Sequence, residues 1–299
     1  MGRFINPFTD MGFKRIFGQE VNKNLLIDFL NDLLEGEKRI INITFLDKEQ
    51  LGTTADDRSC IYDIYCENEN GERFIVEIQN RGHRNFKERA IYYLSRTIAN
   101  QGQKGPSWMF DLKAVYGVFF MNFHLDRRRE ARFRTDVSLR DMRTNEPFSD
   151  KMRFIFLDLP AFTKDEETCE TDFERWIYVL KNMEILQRMP FKARKSVFEE
   201  LEKIADISAL SKEDQEKYEH IIKVYRDNLV TEQWAIEQGF KKGHEKGIEK
   251  GIEKGIEKGI EKGIEIERLK NARGMKAAGI APELIAQITG LSPEEIQEL

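Results

Sequence analysis

Apolar residues recur along the chain first at helical spacing and then in runs of strand length. Asn6-Pro7-Phe8-Thr9-Asp10 reads as an extended entry with a helix cap at Thr9 or Asp10. Phe13, Ile16 and Phe17 form the apolar edge behind it. Val21, Leu25, Leu26, Phe29, Leu30, Leu33 and Leu34 keep helical spacing, and Gly36 ends that helix. Ile41 to Leu46 reads as a strand. Phe86 to Asn100 reads as a helix, closed by a loop with Gly102, Gly105 and Pro106. Ala114 to Phe123 is apolar on both faces, the pattern of a central buried strand.

Between the first strand and that helix lies IYDIYCENENGERFIVEIQ, residues 61–79, which the pattern predicts to be a hairpin. Apolar residues surround Asp63 on one arm and Glu77 on the other. A two-residue Asn-Gly turn would place Asp63 opposite Ile78 and put the two carboxylates on different faces. A three-residue loop, with Gly71 in the left-handed position, places Asp63 opposite Glu77. Gln79 then points the same way, because side chains alternate along a strand. The three-residue register is the one expected here. Like charges opposite one another give a sheet nothing, whereas a hard cation such as Mg²⁺ offsets their repulsion. A solvent-facing polar stripe is the competing reading at this point.

The order helix, strand, hairpin, helix, strand predicts an α/β fold with a mixed sheet flanked by helices. Arg153 to Leu159 adds a short strand, and Thr171 opens a helix whose buried face carries Phe173, Trp176, Ile177 and Leu180. Helices are also expected over 193–205 and 213–234. From Lys242 to Glu265 the chain repeats Lys-Gly-Ile-Glu, read as a marginal helix or charged spacer. Each glycine costs a helix about 1 kcal/mol. Gly279, Pro282, Gly290 and Ser292-Pro293-Glu294-Glu295 punctuate three short terminal helices. The expected units are an α/β domain over 1–165, a helical subdomain over 166–240, the repeat over 241–265 and a helical tail over 266–299.

Composition narrows the class. The 299 residues carry a net charge of −5, so any surface for a polyanion is local. Cys60, Cys66 and Cys169 lack C-x-x-C spacing, which argues against a structural zinc or a disulfide framework and fits a reducing cytoplasm. No apolar run reaches the roughly 20 residues that span a membrane. His83, His124, His220 and His244 show no metal-ligand spacing and read as structural or exposed. No glycine-rich phosphate loop precedes a helix.

Thr9-Asp10 with Phe13-Lys14-Arg15-Ile16-Phe17-Gly18, then Asp63, Glu77-Ile78-Gln79, and Phe86-Lys87-Glu88-Arg89 with Ile91-Tyr92-Tyr93 resemble in order and spacing the recombination-promoting nuclease/putative transposase family. The glycine repeat and the tail resemble that family's C-terminus. The resemblance implies a PD-(D/E)XK restriction-endonuclease-like core and a bacterial, cytoplasmic, nucleoid-associated DNA endonuclease dependent on Mg²⁺ or Mn²⁺. It makes Asp63, Glu77 and the backbone carbonyl of Ile78 the metal ligands. Gln79 stands where the wider superfamily has lysine, and an amide cannot take a proton from water. Arg89, with Lys14 behind it, is the expected compensating cation. Arg81, Arg84, Lys87 and Arg96 form one candidate DNA-contacting group, and Arg127, Arg128, Arg129, Arg132 and Arg134 a second. DNA is the expected partner, together with a second copy of the chain through the repeat and tail. The rival reading is a catalytically silent nucleic-acid- or partner-binding module of the same fold.

Overall fold

The computed structural model describes residues 2–50, 60–103, 105, 108–125 and 132–299. Thr9 caps α1 (Asp10–Phe17) by accepting the Gly12 N–H at 3.0 Å. Helix α2 (Lys23–Leu33) follows, and Gly36 takes φ +78° just beyond it. Strands β1 (Ile43–Phe45), β4 (Ile64–Asn68), β5 (Arg73–Gln79), β6 (Val115–Met121), β7 (Arg134–Arg140) and β8 (Pro147–Asp158) form a six-stranded sheet in the order β1-β4-β5-β6-β8-β7. Strands β2 (Glu49–Gln50) and β3 (Cys60–Ile61) make a separate antiparallel pair. Helix α3 (Phe86–Ala99) connects β5 to β6, which run parallel, and β6 is parallel to β8. The sheet is therefore mixed, as the element order predicts.

The hairpin adopts the three-residue register. Ile64 pairs with Val76 and Cys66 with Phe74, and Gly71 takes φ +77°. Every residue of β6 is buried, because β5 and β8 cover its edges and helices cover both faces. On one face Phe74, Val76, Val118 and Phe120 pack against α1 and α2; Phe13 meets the Phe120 ring edge-on at 5.7 Å. On the other face Tyr65, Ile75, Phe119 and Phe156 pack against Phe86, Ala90 and Leu94 of α3. Gly117 lets α3 lie close, since a Cβ there would fall 2.6 Å from Leu94 Cδ1.

Two differences from the sequence reading concern the sheet edge. Strand β8 starts at Pro147 rather than near Arg153, and β7 was not anticipated. These segments are largely exposed and charged, so they lack the apolar run that marks an internal strand. The segment read as a helical subdomain divides between two compact units, 1–225 and 226–299. Helices α4 (Asp172–Asn182) and α5 (Val197–Ala205) bury Trp176 and Phe198 in the same core as Phe17 and Phe29. Trp176 lies 5.7 Å from Phe17, so these helices complete the first unit.

Helix α6 runs from Lys212 to Ala277. Its Tyr218 and Ile222 belong to the core of the first unit. Along the repeat, Ile248, Ile252, Ile256, Ile260 and Ile264 are 50–64% exposed, and an added Cβ at any repeat glycine would meet nothing within 4 Å. In the second unit, Ala272 packs with Ile285 and Leu291 of the segment containing α7 (Pro282–Thr289) and with Ile296 of α8 (Pro293–Glu298). Gly279 and Gly290 have positive φ at the expected stops, and Ser292 with Glu295 forms the capping box. Among the described residues no helix is long and apolar enough to cross a membrane.

Candidate active site

The hairpin register brings Asp63, Glu77 and Gln79 onto the α3 side of the sheet, at the end where β5 finishes. Strand β4 begins only at Ile64 because Asp63 uses its polar groups differently. Its N–H donates to Glu77 Oε1 at 3.1 Å, and its Oδ2 accepts the Ile78 N–H at 2.8 Å. An extended residue aims its N–H and C=O at the same neighbour, so the Ile78 carbonyl is directed toward the Asp63 arm. Gln79 Nε2 donates to Glu77 Oε2 at 3.1 Å. From α3, Arg89 reaches Glu77 Oε2 and Gln79 Oε1, each at 3.5 Å, and its guanidinium lies 4.9 Å from the centre of the Tyr93 ring.

Glu77 is 1% exposed. Burial pushes its carboxyl above the usual range, and the Asp63 charge adds to that; the Asp63 N–H, Arg89 and Gln79 oppose it. Burial also raises Asp63, with the Asp10 charge acting in the same direction and the Ile78 N–H, Lys14 and Arg89 opposing. A buried and a half-buried carboxyl that both resist ionisation are costly for a fold to retain. A divalent ion reverses that cost, and carboxylate and carbonyl oxygens are the hard donors that Mg²⁺ and Mn²⁺ take. Asp63, Glu77 and the Ile78 carbonyl fit such an ion on these grounds. Among the described residues no three His, Cys, Asp or Glu side chains gather at one point.

Lys14 forms an i, i+4 pair with Asp10 at 2.6 Å, and both face Asp63 electrostatically. Lys48 is a cation the sequence reading missed. The Tyr62 N–H donates to the Lys48 carbonyl at 3.0 Å, which ties it to the residue before Asp63. Burial lowers the Lys48 ammonium below its usual range, Lys14 lowers it further, and Asp10 and Asp63 oppose. Its only sequence signal was a lysine near a short strand. The pairing of β2 with β3 brings it to the site.

The candidate DNA-contacting residues separate. Arg81, Arg84 and Lys87 are exposed in the segment after Gln79. Arg96 is half-buried. Arg134 is turned inward, donating to Asp136 at 2.8 Å and to the Leu33 carbonyl at 3.0 Å. Arg132 is exposed, and Arg127, Arg128 and Arg129 lie outside the described residues. His124, read as structural or exposed, is paired with the buried carboxylate of Asp158 at 3.1 Å. The opening motif is tied to this end of the sheet: Asn80, next to Gln79, donates to the Phe8 carbonyl at 2.7 Å.

No curated protein and no solved structure matches the chain in sequence or fold comparisons. A family model does match, over residues 7–233, which span both carboxylates, Gln79, Arg89 and the helices that complete the first unit. With that match joined to a mixed six-stranded sheet that presents Asp63 against Glu77, the chain belongs to the PD-(D/E)XK nuclease family transposases.

Proposed function

We propose that this protein is a divalent-metal-dependent DNA endonuclease that hydrolyses phosphodiester bonds, using Mg²⁺ with Mn²⁺ as a substitute. The observation that carries this reading is the buried Glu77 carboxylate set against Asp63 by the hairpin register. Asp63, Glu77 and the Ile78 carbonyl would hold the ion, which would supply Lewis-acid activation of a water and of a phosphoryl oxygen. Gln79, fixed by Glu77, orients the attacking water. Arg89, Lys14 and Lys48 stabilise the charge that develops on the phosphorane oxygens. With an amide at position 79, the water's proton leaves to solvent or to the phosphate itself. The transposase description of the family supports recombining or mobile-element DNA as the substrate. The three free, buried cysteines suit a cytoplasmic protein acting at the nucleoid.

Supercoiled-plasmid cleavage tests the proposal, with wild type and Asp63→Ala prepared identically in Mg²⁺, Mn²⁺ or EDTA. The expected result is nicking or linearisation that needs both metal and Asp63. Equal cutting by the variant would overturn it.

A second reading rests on Gln79 and on Arg89 being committed to Glu77. In that reading the domain binds DNA without cutting it, and binding is indifferent to Mg²⁺ and to Asp63. Retained DNA binding with no metal-dependent product would favour it. For self-association, the supporting observation is the exposed isoleucine row of the repeat. Light scattering of the full chain beside a chain ending at Gly239 tests that: an unchanged mass per particle would refute it.

A further inference from the structure

A cavity of about 370 Å³ opens at the same end of the sheet as Glu77 and Gln79. Its walls are the loop after β5, the first turn of α3 and the loop after β6. Gln79 and Met121 pair at the ends of these parallel strands, so both loops leave the sheet side by side. They touch: a Cβ at Gly82 would lie 3.0 Å from the Phe123 ring. His83, Arg84, Lys87 and His124 line the cavity with the edges of Phe86 and Phe123, and among the described residues Glu88 is its one acid.

Arg73, Arg134, Arg153 and Lys38 each have a carboxylate partner. Arg84 and Lys87 have none among the described residues. His124 is the reverse case, a side chain held in place. Its Nδ1 lies 3.1 and 3.2 Å from the two oxygens of Asp158, which is 3% exposed. The N–H groups of Leu125 and Ala161 also donate to Asp158, each at 3.2 Å, so the carboxylate cannot swing away. With Nδ1 set against Asp158, Nε2 is the ring nitrogen left for a group in the cavity that His124 lines. Asn85 makes no capping hydrogen bond at the start of α3, which leaves the positive end of that helix without a side-chain acceptor.

We infer that this cavity binds a backbone phosphate of the DNA strand being cut, close to the scissile bond. Gly82 is three residues beyond Gln79, a reach of about 10 Å along extended chain. That is at most about three base-pair rises of about 3.4 Å along a duplex axis. Arg84 and Lys87 neutralise the phosphate, His124 contacts it from a fixed position, and Asp158 is the positioning residue behind His124. This assignment rests on the endonuclease reading.

The test is anisotropy of a fluorescein-labelled DNA duplex with the full chain in EDTA, across a salt series. The proteins are wild type, the Arg84→Ala/Lys87→Ala double variant, His124→Gln, and Lys203→Ala on α5 as a control outside the cavity. The double variant is expected to bind about tenfold or more weakly at low salt, with the slope of log affinity against log salt shallower by about one, the share of a single phosphate. In plasmid cleavage, His124→Gln is expected to raise KM with kcat little changed, the pattern of a group that binds rather than reacts. The double variant changes only exposed side chains and so keeps the test valid if His124→Gln does not fold. Wild-type affinity and salt slope in the double variant, alongside metal-dependent cutting by wild type, overturn the cavity assignment and leave the endonuclease reading standing. A shallower slope with no cutting by wild type keeps the cavity and overturns the endonuclease reading. A wild type that neither binds nor cuts DNA overturns both.

Discussion

Replacing Glu77 with glutamine should make the metal-free protein more stable while ending cleavage. Glutamine is close in shape to the protonated carboxyl and keeps an oxygen to accept the Asp63 N–H now given to Oε1. It removes the charge that burial and Asp63 together disfavour. Each pH unit by which the folded carboxyl lies above its ordinary value costs about 1.4 kcal/mol of stability at a pH above both values. Burial pushes the carboxyl up to about 8, which corresponds to about 5 kcal/mol. Loss of the contacts that Arg89 and Gln79 make to Oε2 returns about 1 kcal/mol, leaving a gain of about 4 kcal/mol. For a unit of this size that is about 8–16 °C in Tm. The sign of the pH dependence follows from the direction of the shift. The folded state holds the Glu77 proton more tightly than the unfolded state, so wild type loses stability as pH rises from the ordinary carboxyl range through the raised one. The glutamine advantage should therefore be nearly full near pH 8 and vanish near pH 4.5. Thermal and urea unfolding in excess EDTA at the two pH values measure it, with plasmid cleavage in Mg²⁺ alongside. A glutamine variant less stable than wild type at pH 8, or an advantage of equal size at both pH values, would refute the reasoning.

Three further outcomes are expected. Lys48→Gln should slow metal-dependent cleavage about 100-fold, the loss typical of one stabilising donor at a developing oxyanion, while unfolding free energy changes by less than about 0.5 kcal/mol; unchanged turnover in a plasmid assay would leave Arg89 and Lys14 as the supporting cations. Lys195 pairs with Asp28 at 2.8 Å and with Asp32, and lies 3.9 Å from Asp172, so Lys195→Ala should cost about 3 kcal/mol at pH 8. Burial pushes Asp32 up to about 6 despite Lys195, so near pH 5 the aspartate takes up a proton and the cost seen in urea unfolding should shrink. Gly117→Ala should destabilise by about 1–3 kcal/mol through the clash with Leu94, and it should slow cleavage further by displacing α3 and with it Arg89; denaturation and initial-rate measurements on the same preparation report both effects.

The local grammar of the chain was legible without coordinates. Thr9 as a cap, Gly36, Gly279 and Gly290 as stops, the buried β6 and the capping box at Ser292 all depend on short-range sterics and hydrogen bonding. The register that sets Asp63 against Glu77 was legible too. A three-residue loop ending in a left-handed glycine fixes which residues face each other whatever packs around the hairpin. The β7–β8 edge was not legible, because exposed, charged strands carry no apolar signature and exist through pairing with β6. The repeat was legible as a pattern and not as a conformation: it continues as helix in α6 even though its glycines disfavour one.

The sequence by itself determined the capped helices, the internal strands and the hairpin register that sets Asp63 against Glu77. Only the tertiary structure decided their surroundings. It buried Glu77, brought Lys48 to the residue before Asp63, turned Arg134 inward, left Arg84 and Lys87 unpaired among the described residues and fixed His124 on Asp158. The reason is one of range. Turns, caps and strand alternation act over a few residues, whereas burial and charge pairing depend on groups far apart in the chain that meet only once the sheet is assembled.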